Sequence, residues 1–142
     1  LALKARIERN AAALDALSPL DGRYARATRP LARYASELAL IRCRVQVEVA
    51  WLLALADAPG IPEIAPFSAP SRALLEGLVR DFSAADGARV KAIEAQTNHD
   101  VKAIEYWLKE RVAGHAELER AAEFIHFACT SEDINNLAYA LM

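Results

Sequence analysis

Three short stretches of this sequence hold residue types that could do chemistry. The first is Thr130-Ser131-Glu132-Asp133-Ile134-Asn135-Asn136, where an apolar run over residues 124–129 gives way to helix-forming residues. Thr130 or Ser131 suits an N-cap, and Asp133 stands where the acid of a capping box would sit. Such a helix start offers free backbone N–H groups and rotatable O–H donors, the groups that a carboxylate or phosphate needs. Glu132 and Asp133 oppose that use, because their charge complements the helix dipole and repels an anion. An ordinary acidic helix start is therefore the competing reading. The second stretch, Thr97-Asn98-His99-Asp100, is another helix start. A carboxylate beside His99 can orient the imidazole and favour its protonated form, so the ring could donate to a substrate oxygen or move a proton. Equally, His99 could only cap a helix. The third is Arg23-Tyr24, just after the turn-forming run Ser18-Pro19-Leu20-Asp21-Gly22. An arginine beside a tyrosine on a rigid turn can hold a phosphate or carboxylate by charge-assisted hydrogen bonds. His126, among Phe124, Ile125 and Phe127, reads as a core histidine, and His115 beside Gly114 as an exposed one.

These residues need helices to position them. Residues 2–17 are Ala-rich and charged and predict a helix that frays. Pro30 suits a first helical turn, and the pattern from there predicts one helix to Asp57. Leu38, Ile41, Val45, Leu52 and Leu55 form one apolar stripe on it, and Val47, Trp51 and Ala54 a second. Two stripes mean burial on more than one side, as in a bundle. Arg42, Arg44, Gln46 and Glu48 fall between the stripes and predict a polar strip. Pro59, Pro62 and Pro66 impose a loop, and a helix is expected from near Ser71 with Leu74, Leu75, Leu78, Val79 and Phe82 inward. Ser83 caps the next, with Asp86 at its third position, and Gly87 weakens its first turn by about 1 kcal/mol relative to Ala. From Asp100 a further helix buries Val101, Ile104, Leu108 and Val112, leaves Lys102, Glu105 and Lys109 outside, and stops at Gly114. The last predicted segment before Thr130 is a helix over residues 117–127. No strand-period alternation and no Gly-rich phosphate loop occur, so the fold class is all-α.

Composition excludes several function classes. A chain of 142 residues with 54% hydrophobic and 25% charged residues fits one globular domain, and such a chain buries roughly two-thirds of its unfolded surface. The net charge of -2 gives no reason to expect nucleic acid or an anionic membrane. The longest apolar run, residues 49–56, is too short to span a bilayer. Lys4, Arg6, Glu8 and Arg9 break any signal-peptide pattern. Cys43 and Cys129 sit among apolar residues and read as reduced thiols of a cytoplasmic protein. No cysteine or histidine spacing suggests a metal, and none of the residues calls for a cofactor.

The motifs Ser18 to Tyr24, Thr97-Asn98-His99-Asp100-Val101-Lys102-Ala103-Ile104-Glu105-Tyr106 and Glu123-Phe124-Ile125-His126-Phe127-Ala128-Cys129-Thr130-Ser131-Glu132-Asp133-Ile134-Asn135-Asn136 closely resemble the N-terminal domain of the bacterial adenylosuccinate lyases. That family belongs to the fumarase and aspartase superfamily. The likeness covers residues 18–142, including the spacing between motifs, and leaves residues 1–17 as an N-terminal extension. It implies an N-terminal helical domain with the start of a central helical bundle, a homotetramer, and active sites assembled from three subunits.

The resemblance also implies a β-elimination that releases fumarate from adenylosuccinate, giving AMP, and from the succinylated aminoimidazole carboxamide ribotide of purine biosynthesis. Carried across by position, Arg23 and Tyr24 match ligands of the nucleotide, near its phosphate. Asn98, His99 and Asp100 match the segment that positions the nucleotide, with His99 in a supporting catalytic role. Thr130 and Ser131 match donors to the succinyl carboxylate, and Glu132 and Asp133 become cap residues turned away from the anion. The family's general-acid histidine, in a Thr-His-Gly-Gln motif, and its base, in a Ser-Ser-x-Met-Pro-x-Lys-x-Asn loop, do not occur in these 142 residues. With no initiator Met and an unfinished apolar pattern at Met142, the sequence is expected to be a piece of a longer polypeptide, lacking the central and C-terminal domains and inactive alone. Two other readings stand beside this one: another lyase of the superfamily, such as argininosuccinate lyase, or a helical interaction module without catalysis.

Overall fold

A computed structural model describes residues 14–142. The chain divides into two units, Leu1–Ser36 and Glu37–Met142. Of the helix expected over residues 2–17, residues 2–13 lie outside the described residues, and residues 15–17 form bends rather than helix. Every regular element among the described residues is helical, so the fold is all-α.

In the first unit the Ser18 turn is built from its own polar atoms. The Ser18 N–H donates to Asp21 Oδ1 at 2.8 Å and the Leu20 N–H to Ser18 Oγ at 3.0 Å. The Tyr24 N–H donates to the Pro19 carbonyl at 2.8 Å. The turn feeds α1 (Ala25–Thr28), a 3-10 turn (Arg29–Leu31) that holds Pro30, and α2 (Ala32–Ala35). The single helix expected from Pro30 to Asp57 is thus interrupted. Ser36 takes extended backbone, φ -100° and ψ 168°, the conformation of a residue that begins a new helix rather than continuing one.

The second unit is organised on α3 (Glu37–Asp57), 21 residues and about 30 Å long. It is followed by α4 (Ala69–Arg80), α5 (Ala84–Thr97), α6 (Asp100–Val112), the short α7 (Ala116–Arg120), a 3-10 turn (Ala122–Phe124) and α8 (Ser131–Leu141). Helix α3 is buried on two sides, as its two stripes require. Ile41, Val45, Val49 and Leu52 join the main core with Leu75, Val90, Ile104, Trp107 and Leu108. Leu40, Cys43 and Val47 join a second cluster with Val101, Ile134 and Ala138 of α6 and α8.

Several expectations change. Leu38 and Ala54 are exposed. Arg44 and Glu48 are buried, at 4% and 0% exposure, and are not part of a solvated strip. Both find partners on other elements, which lets a charged group leave water. Glu105 is also buried, held between Lys102 at 2.8 Å and Lys109 at 3.2 Å, its carboxyl kept below the ordinary value because these two lysines outweigh its burial. Helix α4 starts two residues before Ser71, with Pro70 in its first turn. The helix expected over residues 117–127 stops at Arg120. After the 3-10 turn, His126 and Ala128 take left-handed φ of 63° and 58°. There the Phe127 carbonyl, which a continuing helix would occupy, accepts from Trp51 Nε1 at 2.8 Å. The stop at Gly114 holds, with φ 78°.

Candidate functional site

The junction between α5 and α6 is made by two residues with opposite backbone preferences. Asn98 closes α5 in the left-handed conformation, φ 52°, and its N–H donates to the Glu94 carbonyl at 2.8 Å. Asparagine tolerates that region better than most residues. His99 then returns to extended backbone and caps α6, its Nδ1 accepting the Lys102 N–H at 3.1 Å. An accepting Nδ1 leaves the ring N–H on Nε2. Asp100 was expected to orient and charge this ring. Instead its Oδ1 accepts the Val101 N–H at 2.8 Å and lies 3.8 Å from His99 Nδ1. Its Oδ2 accepts from Arg44 Nη2 at 2.6 Å. Burial pushes the Asp100 carboxyl up, but the Val101 N–H and the Arg44 guanidinium outweigh it and hold the group below the usual carboxylate range.

Asn98, His99 and Asp100 line an open cleft of about 500 Å³ with Lys91, Glu94 and Ala95. Lys91 bonds Glu94 at 2.6 Å and lies 3.3 Å from Glu37. His99, its side chain half exposed, is part of the lining of this cleft. A larger groove of about 650 Å³ runs between α3 and α8, lined mainly by Val47, Trp51, Ala54, Ile134, Leu137 and Leu141. Its lining is mainly apolar, with Gln46, Cys129 and Asp133 as its polar members, whereas the smaller cleft is lined mainly by charged and polar side chains.

Helix α8 starts on a complete capping box. Thr130 Oγ1 accepts the Asp133 N–H at 3.3 Å, and Asp133 Oδ2 accepts the Thr130 N–H at 2.7 Å. The Thr130 hydroxyl also donates to Asp133 Oδ2 at 2.9 Å. Asp133 is therefore turned back on the cap, and the Thr130 N–H and O–H hold its carboxyl below the ordinary value. Of the two hydroxyls, Thr130 is committed to the helix, while Ser131 at the first helical position makes no hydrogen bond among the described residues.

Arg44 joins these two helix starts. Its Nη2 reaches Asp100 on α6, and its Nε donates to Asn135 Oδ1 on α8 at 2.9 Å. One turn further along α3, Glu48 Oε1 meets His126 Nδ1 at 2.6 Å, while Glu48 Oε2 is buried without a partner. Desolvation raises the Glu48 carboxyl, against the pull of the His126 hydrogen bond and charge. Burial likewise raises the Cys129 thiol, with Glu48 and Asp133 adding to it. The structure thus places Asn98, His99, Asp100, Thr130 and Ser131 on elements tied to a common helix. Arg23 and Tyr24 belong to the first unit, on its exposed turn, the guanidinium 5.5 Å from the Tyr24 ring centre.

A family model described as lyase matches residues 22–142. The chain belongs to the lyase family. Among curated relatives, the lyase-family chain is 57% identical over 129 residues to adenylosuccinate lyase of Haemophilus influenzae. It is 54% identical over 129 residues to that of Escherichia coli, and 49% identical over 130 residues to that of Legionella pneumophila. These matches cover 91% or 92% of this chain, which spans 28% of each relative. Among the described residues no helix is long and apolar enough to cross a membrane.

Reading the sequence of this lyase-family chain missed Arg44 and Glu48 as components of the site's framework. The one local signal was their spacing of four, which puts both on the same side of α3. Nothing local distinguished them from Arg42 and Gln46, which are exposed.

Proposed function

We propose that the whole protein is an adenylosuccinate lyase, a cytoplasmic homotetramer that eliminates fumarate from adenylosuccinate, giving AMP, and from the succinylated aminoimidazole carboxamide ribotide of the same pathway. The observation that carries this reading is the 57% identity over 91% of the chain to a relative of that name. The chain supplies the N-terminal helical domain over residues 18–142, with residues 1–17 as an extension, and by itself binds substrate weakly if at all and does not turn it over.

The reaction removes a proton from a carbon next to a carboxylate, so charge builds on a dianionic intermediate that preorganised donors must meet. Ser131 Oγ and the first N–H groups of α8 serve as donors to the succinyl carboxylate, with Thr130 shaping that helix start. Asn98, His99 and Asp100 position the nucleotide, His99 through its Nε2–H. Arg23 and Tyr24 take the phosphate end. The capping-box geometry supports the part given to Thr130, because its N–H and O–H are both committed to Asp133. The open cleft at His99 supports the nucleotide side.

The test is fumarate release from adenylosuccinate by the whole protein, followed by ultraviolet absorbance. Elimination from adenylosuccinate and no reaction with argininosuccinate is the expected result. The opposite preference overturns the proposal, and no turnover of either substrate favours a non-catalytic helical module.

A further inference from the structure

A buried arginine on a bundle helix needs its charge matched and its N–H groups satisfied. Arg44 meets both needs at once, yet its two partners come from different helices. With its side chain 5% exposed, it bonds the first residue of α6 through Asp100 and the second turn of α8 through Asn135. The guanidinium is flat and its donors point in fixed directions, so the two bonds fix a distance as well as an attraction. Hydrophobic contacts alone leave helices some freedom to slide; directed bonds to a carboxylate and an amide remove it.

We propose that Arg44 is a positioning residue that sets the separation of the α6 and α8 starts, so that one substrate can be held at its nucleotide end and its carboxylate end together. This rests on the reading above, in which His99 faces the nucleotide and Ser131 the succinyl carboxylate. Arg44 touches neither ligand. It acts through Asp100, one residue from His99, and through Asn135, one helical turn from Ser131. A lysine at this position keeps the charge but has no fork of donors to span both partners.

The experiment compares the whole protein with its Arg44→Lys, Arg44→Met and Asn135→Ala forms. Three readouts are taken below each form's melting temperature: kcat and KM for adenylosuccinate, and the dissociation constant of AMP. Of the two helix starts AMP engages only that of α6, with Arg23 and Tyr24 at its phosphate, whereas the full substrate needs both helix starts. Misplacement of about 1 Å can cost on the order of a hundredfold. We therefore expect kcat/KM to fall roughly 10- to 100-fold in Arg44→Lys and Asn135→Ala, while the AMP constant stays within about twofold. Asn135→Ala removes only a half-buried amide, so it decides the matter if Arg44→Met fails to fold. The inference is overturned if Arg44→Lys and Asn135→Ala keep kcat/KM within about twofold, even with lowered melting temperatures, since Arg44 is then structural only. It is also overturned if AMP affinity falls in step with kcat/KM, which would confine Arg44 to the α6 start. An unmodified protein that releases no fumarate from adenylosuccinate is a separate result; it sinks the proposed function and this inference with it.

Discussion

Removing His126 tests the buried polar pair most directly. Glu48 is 0% exposed, and its Oε1 has one partner, His126 Nδ1 at 2.6 Å; its Oε2 has none. In His126→Ala both carboxyl oxygens are left buried and unpaired. An unsatisfied buried polar group costs about 1–3 kcal/mol, and breaking a buried ion pair from one side about 3–5 kcal/mol. Alanine keeps a Cβ at the left-handed φ of 63°, so backbone strain is the same in both forms. The expected loss is therefore about 3–5 kcal/mol. Glu48→Met instead removes the buried carboxyl and leaves a ring whose side chain is 19% exposed and can turn to water, at a cost of about 1 kcal/mol or less. In the Glu48→Met background His126→Ala should then cost little, giving a coupling energy of roughly 2–4 kcal/mol in a double-mutant cycle. The pH dependence follows from the raised Glu48 carboxyl. In the window above the ordinary carboxylate value the folded state keeps a proton that the unfolded chain has lost, so stability falls as pH rises through the raised value. Without the His126 ring only the backbone at residue 126 still pulls the carboxyl down, and the His126→Ala penalty should grow with pH. Urea unfolding followed by far-ultraviolet circular dichroism at matched protein concentration measures all four forms. Additivity of the two substitutions within about 0.5 kcal/mol would refute the reasoning.

Glu117 caps the start of α4 from a distance, its Oε1 accepting the Ser68 N–H at 3.0 Å and its Oε2 the hydroxyls of Ser68 and Ser71. These bonds hold its carboxyl at about 2 rather than 4.5, so it contributes stability above the ordinary value that is lost as pH falls through the depressed one. Glu117→Gln should lower the melting temperature at neutral pH and flatten its decline over that acid window, as read by circular dichroism. Gly114→Ala places a Cβ in open space, so only the left-handed φ of 78° resists it; a loss of about 1 kcal/mol in urea unfolding is expected. Thr130→Ala breaks the α8 capping box and should cost about 1 kcal/mol in the same assay. Ser131→Ala should leave stability nearly unchanged and lower kcat of the whole protein on the order of a hundredfold; a drop below threefold in fumarate release argues against Ser131 as the carboxylate donor.

Helix starts and stops were legible because each is decided within about four residues. Ser83 with Asp86 and Thr130 with Asp133 form the capping boxes their spacing announced. Asn98 and His99 break and restart the chain as their backbone preferences demand, and Gly114 ends α6. The two apolar stripes of α3 likewise foretold burial on two sides. What the sequence left open was which polar residues accompany those stripes inward, and where an intended helix gives way. Arg44 finds Asp100 56 positions away and Asn135 91 positions away, and Glu48 finds His126 78 positions away. Whether a charge can leave water depends on the partner that meets it, and no local pattern encodes a partner that distant. The same holds for the turn at residues 125–128, where Trp51 and Glu48 on α3 take up atoms that a continuing helix would have used or turned elsewhere. Local chemistry thus determined where the donor-bearing ends of the helices lie. Only the packed bundle decided that a buried guanidinium would tie two of those ends together.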